Sequence, residues 1–293
     1  MTNFIQHIVS GLASGAVYGV LALAIVLIHR STGVINFAQG ELATLSAFVC
    51  WTLVSHGWAF WPAFGATLLL SFAGGVTLQA VVIRPIQSGP LFRVVIVTIG
   101  LLIAFNGLDT WIWGDAAKQF HGPFSTAPIS VGGVAFSKQD LGVIAVALIA
   151  VALIGALLTR TRLGLGLRAA GVNPVESRLV GIRVPAMLAL GWGLAAMLGA
   201  VASVMAAPSL SLEPNMMQTV LLYALTAAVL GGMDSPLGAV LGGLLLGVLL
   251  DLVGTYVHWI GGELQLAIAL AVLLGVLLVR PSGLFGRAAA RRP

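Results

Sequence analysis

The stretch VIAVALIAVALIGALL, residues 143–158, carries no polar side chain and no alternation of any kind. A strand of a membrane barrel would place apolar and polar residues on opposite faces, one after the other. An uninterrupted apolar run, close to the roughly 20 residues that carry a helix across the hydrocarbon, reads as a transmembrane helix. Lipid offers no partner to backbone groups left unpaired, and a helix satisfies them within the segment.

The rest of the chain agrees. Of its 293 residues, 59% are hydrophobic and 8% charged, and the mean hydropathy of +1.07 is far above that of a soluble domain. Apolar runs fall near 4–28, 42–55, 60–83, 94–113, 141–159, 186–207, 216–231, 237–256 and 263–279. The short run at 42–55 and the Gly231-Gly232 pair leave a bracket of eight to ten membrane segments. The expected fold is an all-α, polytopic transmembrane bundle, with no linker or low-complexity tract to divide residues 1–293 into more than one integral membrane domain. The first run has no basic residue before it and is too long for a signal-peptide core, so it reads as retained. The lone Cys50 rules out a disulfide framework or a cysteine metal site.

Charge placement adds an orientation. Arg30, Arg84, Arg93, Arg160, Arg162, Arg168, Arg178, Arg183, Arg280, Arg287, Arg291 and Arg292 fall on alternate connections and on the tail, leaving only Lys118 and Lys138 on the 114–140 loop. The positive-inside rule then puts the arginine side and the C-terminus in the cytoplasm. It also explains the net charge of +5, so nothing points to a nucleic-acid partner.

Small residues recur every four positions: Gly11, Gly15 and Gly19 on the first run, Gly238 and Gly242, then Gly243 and Gly247, on the eighth, and Gly191, Ala195 and Gly199 on the sixth. That spacing lets helix backbones approach closely, and tight packing inside one bundle explains it better than a dedicated dimer face.

Beyond the opening run lies LRAAGVNPVESRLVGIRVP, residues 167–185, with three arginines and a glutamate in a chain poor in charge. Asn173 reads as an N-cap, Pro174 as the first helical residue, Glu176 as the third, facing back to the free amides, and Gly181 as the stop. Val175, Leu179 and Val180 give this short helix an apolar stripe, with Glu176 and Arg178 off it. Two readings fit: the stripe is covered by a partner, or it lies on lipid headgroups.

The segment resembles the cytoplasmic loop of ATP-binding-cassette importer permeases, where a short coupling helix docks on the ATPase subunit. The resemblance is most specific to the branched-chain amino-acid permease family. GLASGAVYGVLALAIVLIHRSTGVINFAQGELATLSAF (11–48) is similar to that family's opening helices, with the signature running from Gly33 to Glu41. AAVLGGMDSPLGAVLGGLLLGVLLD (227–251) is similar to its late glycine-rich motif, with Asp234 standing where a small residue is usual. The resemblance implies a conduit of two permease subunits, identical or homologous, in the bacterial inner membrane. Two ATPase subunits would bind ATP and Mg beneath, and a periplasmic binding protein would deliver a branched-chain amino acid, amide, urea or aromatic acid.

Asn36, Gln39 and Glu41 are the pathway candidates. A carboxylate at bilayer depth costs about 2.5–3.5 kcal/mol on insertion scales and so faces protein or water. Glu41 either sits at the dipole-favoured start of a helix after a plain turn or belongs to a helix break lining the conduit. Glu213, Asp251 and Glu263 fall near helix ends. Asp109 sits beside Trp111 and Trp113, which read as interfacial anchors. His29, His56, His121 and His258 show no metal-ligand spacing. Lys118 and Lys138 follow Ala and Ser, so there is no phosphate-binding G-x-x-x-x-G-K loop, and no catalytic constellation is visible. The chain is expected to be a permease rather than an enzyme, with no cofactor of its own. The alternative class is an ion-coupled secondary transporter or channel, which would carry several buried ionisable residues where only Glu41 stands out.

Overall fold

The computed structural model describes residues 2–87, 89–125, 127–131, 134–257, 264–280 and 282–286. His258, Glu263, Arg287, Arg291 and Arg292 lie outside the described residues. The helices are α1 (Thr2–Thr32), α2 (Gln39–Ser55), α3 (Phe60–Leu78), α4 (Arg84–Ile86) and α5 (Leu91–Trp113). After them come α6 (Lys138–Arg160), α7 (Arg162–Val172), α8 (Pro174–Leu179), α9 (Val184–Leu210), α10 (Met216–Gly231), α11 (Pro236–Tyr256) and α12 (Gln265–Val279). A π-helical stretch, Gln79–Ile83, joins α3 to α4 without a break.

Each of the nine apolar runs is helical in its described part. Six helices are long and apolar enough to cross a membrane: Phe4–Thr32, Phe60–Ile86, Leu91–Trp113, Lys138–Arg160, Val184–Leu210 and Pro236–Tyr256. Helices α10 and α12 are apolar but shorter, and α2 has 17 residues. One element departs from an all-α chain. Strands β1 (Pro128–Val131) and β2 (Val134–Ser137) pair antiparallel in the long loop before α6.

Helix α1 is the axis of the bundle, packed against α11 and α9 along its length, with α10 and α6 beside it. Its most apolar stretch is 83% buried, against 11% for that of α5, which separates a core helix from a peripheral one. The α1–α11 contact is made by glycines. A methyl group on Gly15 would sit 2.7 Å from the Gly243 carbonyl oxygen, and one on Gly11 would meet the Val248 backbone at the same distance. Gly19 faces Val240. The glycines of α11 divide between two partners: Gly243 and Gly247 lie on the α1 backbone, while Gly238 and Gly242 lie on α10 at Gly231 and Ala227. Every side chain on those faces would push the helices apart, so close backbone packing depends on their absence.

The two ends of the bundle differ. At one, Arg30, Arg168 and Asp234 line a common cleft of about 510 Å³ between α1, α6, α7 and the turn before α11, and Arg84, Arg178 and Arg183 share another. At the other, the Lys118 backbone pairs with that of Leu212 (2.8 and 3.1 Å), and the Lys118 ammonium lies 5.1 Å from the centre of the Trp51 ring. Asp251 does not stand alone near a helix end. It accepts from His7 at 3.1 Å and so ties α11 to α1.

Candidate functional site

The charged segment forms a short helix built by its own end groups. Asn173 Oδ1 accepts from the Val175 and Glu176 amides, both at 3.2 Å. Pro174 takes the first helical position, where its missing N–H leaves no bond unmade. Gly181 ends the turn at φ +84°, a conformation that glycine adopts without strain. Glu176 does not complete the reciprocal half of a capping box, because the Asn173 N–H already donates to Ala169 O and closes α7. That preceding helix, Arg162–Val172, carries the chain out of α6 and holds α8 on the arginine end. The apolar stripe stands open: Val175, Leu179 and Val180 are 67%, 82% and 76% exposed.

The second constellation lies deep in the bundle. Asn36, Gln39 and Glu41 are all buried. The Asn36 carboxamide bridges the break after α1: its Oδ1 accepts from Ala38 N at 3.1 Å and its Nδ2 donates to Gln39 Oε1 at 3.3 Å. Gln39 Nε2 donates to the Ala195 carbonyl of α9 at 2.9 Å. Gly199, one turn on, allows this, since a methyl there would press on Gln39 Nε2 at 2.8 Å.

Depth follows from helix geometry. Trp113 of α5 donates to Thr52 of α2 at 2.8 Å, which levels the two helices near the end opposite the arginines. At 1.5 Å per residue, Glu41 lies about 16 Å deeper along α2, and Asn106 about 10 Å deeper along α5. A methyl on Gly40 would lie 3.2 Å from the Met217 carbonyl oxygen, so the starts of the short helices α2 and α10 sit side by side at that depth. The Asn106 and Gln218 amides both donate to Asn215 Oδ1, the former at 2.6 Å. Both amides also interact with the Glu41 carboxylate, though neither contact has full hydrogen-bond geometry.

Asp109 belongs here rather than with the tryptophans beside it in sequence. It is fully buried, faces inward toward Glu41, and neither of its carboxylate oxygens has a partner. Trp111, two residues on, is 82% exposed. Two helical residues differ by about 200° in direction, so neighbours in sequence look opposite ways. Asn106, Asp109, Asn215 and Gln218 are the members that sequence reasoning did not bring to Glu41. Among the described residues no group of three or more His, Cys, Asp or Glu side chains could hold a metal.

Residues 7–278 match the family model described as "Branched-chain amino acid transport system / permease component". The chain belongs to that permease family. It is 30% identical to the high-affinity branched-chain amino acid transport system permease protein BraD of Pseudomonas aeruginosa, over 97% of this chain and 96% of that one. It is 26% identical to the corresponding protein LivH of Escherichia coli, with the same coverage. Among solved structures it superposes on a chain of "PsaBC from Streptococcus pneumoniae in complex with Fab" with a TM-score of 0.50. That match has 15% identity, covers 95% of this chain and 92% of the other, and speaks for the fold alone. The glycine stripes, the break between α1 and α2 at Asn36 and the capped α8 thus belong to a chain of this permease family.

Proposed function

We propose that the chain is the conduit subunit of an ATP-binding-cassette importer, carrying a branched-chain amino acid or a related small polar solute delivered by a periplasmic binding protein. It pairs in the bacterial inner membrane with a second permease chain, identical or homologous. Two ATPase subunits, which bind ATP and Mg, dock on its arginine end. The observation that carries this reading is α8: a capped helix whose three apolar side chains stand exposed on a charged face. Fully burying such a side chain is worth about 1.5–3 kcal/mol, enough for three of them to seat a helix in a groove. The positive-inside rule places that face, and the C-terminus, in the cytoplasm.

In this mechanism the closing ATPase dimer pulls α8, which passes the motion through α7 and α9 into the bundle, and the two bundles rock to change access. Asn36, Gln39 and Glu41 act at the break where α2 begins inside the membrane. The binding protein sets most of the selectivity.

An ion-coupled carrier is the competing class, and Asp109 beside Glu41 gives it a second buried carboxylate. Membership of the permease family and the uncovered α8, for which a solitary carrier has no use, favour the importer. Proteoliposomes holding the chain, its ATPases and its partner permease decide between them. Uptake should require ATP and the binding protein and persist when ion gradients are collapsed. Uptake driven by a gradient without ATPase subunits would overturn the proposal.

A further inference from the structure

Glu41 and Asp109 bring four carboxylate oxygens into the bundle at 1% and 0% exposure, and none of the four completes a well-formed hydrogen bond, although the Asn106 and Gln218 amides approach Glu41. The groups around them only partly relieve this: Asn106 and Gln218 each give one amide N–H to Asn215 Oδ1, and their contact with Glu41 falls short of a well-formed bond, while Asp109 has no donor beside it. A buried acceptor left unpaired is costly, and two of them within electrostatic reach of one another are more so. An independent observation lies on the surface in front of them. Asn215 and Gln218 are exposed and Asn106 half-buried, at a depth where hydrocarbon would leave their amides unsatisfied. The amides form a polar screen, and the under-paired carboxylates stand behind it.

Four under-paired acceptors call for a compact donor-rich cation. Along the same face of α5, one to three turns from Asn106, the side chains of Ile103, Ile99 and Ile96 are exposed and would receive an apolar remainder. A carboxylate, by contrast, meets only repulsion behind the screen. We propose that Glu41 and Asp109 form a site for a primary ammonium group, which holds the amino end of the solute as it passes the start of α2 and α10, with Asn106, Asn215 and Gln218 as the screen that parts to admit it. This rests on the reading of the chain as the conduit of an amino-acid importer.

The test uses the complete importer in lipid nanodiscs, without the binding protein, and follows saturable binding of four probes: L-leucine, isopentylamine, 4-methylpentanoate and sodium chloride. Leucine and isopentylamine should bind, while 4-methylpentanoate, which lacks the ammonium, should not. Glu41→Gln and Asp109→Asn keep shape and remove charge; each should weaken amine binding by about tenfold or more. Equal binding of the acid and the amine, a sodium response without an amine response, or indifference of both variants would overturn the site. Should a variant fail to assemble with the ATPases, the amine-against-acid comparison in the unaltered protein still decides. Failure of ATP-driven uptake would sink the importer reading whatever the amine does, whereas failure here leaves the importer reading standing.

Discussion

Two surfaces of this chain are mismatched to their surroundings in opposite senses. On α8, at the charged end of the bundle, Val175, Leu179 and Val180 turn apolar side chains outward. Along α5 and α10, far from either end, Asn106, Asn215 and Gln218 turn amides outward where a membrane protein meets lipid. The first is uncomfortable in water because apolar area stays wet; the second is uncomfortable in hydrocarbon because bonding to one another uses only part of the donors these amides carry. They ask for different neighbours, an apolar groove for α8 and a protein face or water-lined path for α5 and α10. Between them the α1–α9–α11 core is complete in itself, with Trp192, Leu198, Leu21 and Ile25 almost wholly enclosed.

Breaking the shared core should erase both surfaces together. Gly15→Leu forces a side chain into the Gly243–Leu244 backbone, and we expect a loss of about 3 kcal/mol or more, read as a lower unfolding temperature and loss of the monodisperse species in detergent. Leu179→Glu should separate the two surfaces in one direction. Membrane insertion stays normal, while co-purification of the ATPase subunits falls by at least about tenfold, as for a hot-spot residue. Gln218→Leu should separate them in the other direction. ATPase docking is retained and uptake drops by about fivefold, an effect near 1 kcal/mol. The finest distinction concerns the cap. Asn173→Ala should cost about 1 kcal/mol of local helix stability and Asn173→Gly only a few tenths, a difference that amide hydrogen exchange at Val175 and Glu176 resolves.

What the sequence discloses depends on how local the physics is. Helix existence is local, so nine apolar runs become nine helices, and Asn173, Pro174 and Gly181 announce α8 through groups that bond within a few residues. Direction is not local to the same degree. Asp109 and Trp111 share a stretch but face opposite ways, and hydropathy averaged over that stretch cannot say which is buried. The glycines of α11 already fall into two four-residue pairs in the sequence, but which neighbour each pair meets is not local: Gly243 and Gly247 lie on α1, Gly238 and Gly242 on α10. Pro214 and Asn215 are turn residues and Asn215 takes the left-handed conformation that asparagine tolerates, but a turn signal does not say that the bend brings Asn215 to Asn106. The strand pair at 128–137 did carry a signal, a Gly132-Gly133 pair between short apolar runs, which the stronger membrane pattern masked. Helix α7 is too short and mixed in character to stand out beside its arginines.

The most direct measurement concerns the exposed stripe of α8. With Cys50 replaced by alanine and Leu179 by cysteine, inside-out membrane vesicles holding the full transporter would be treated with a water-soluble maleimide, with and without the ATPase subunits. We expect rapid labelling of the permease alone, strong protection when the ATPases are bound, and a cross-link from position 179 to an ATPase subunit under mild oxidation once a cysteine lines its docking groove. Labelling at an unchanged rate with ATPases bound and hydrolysing ATP would contradict the assignment of α8 as their docking helix.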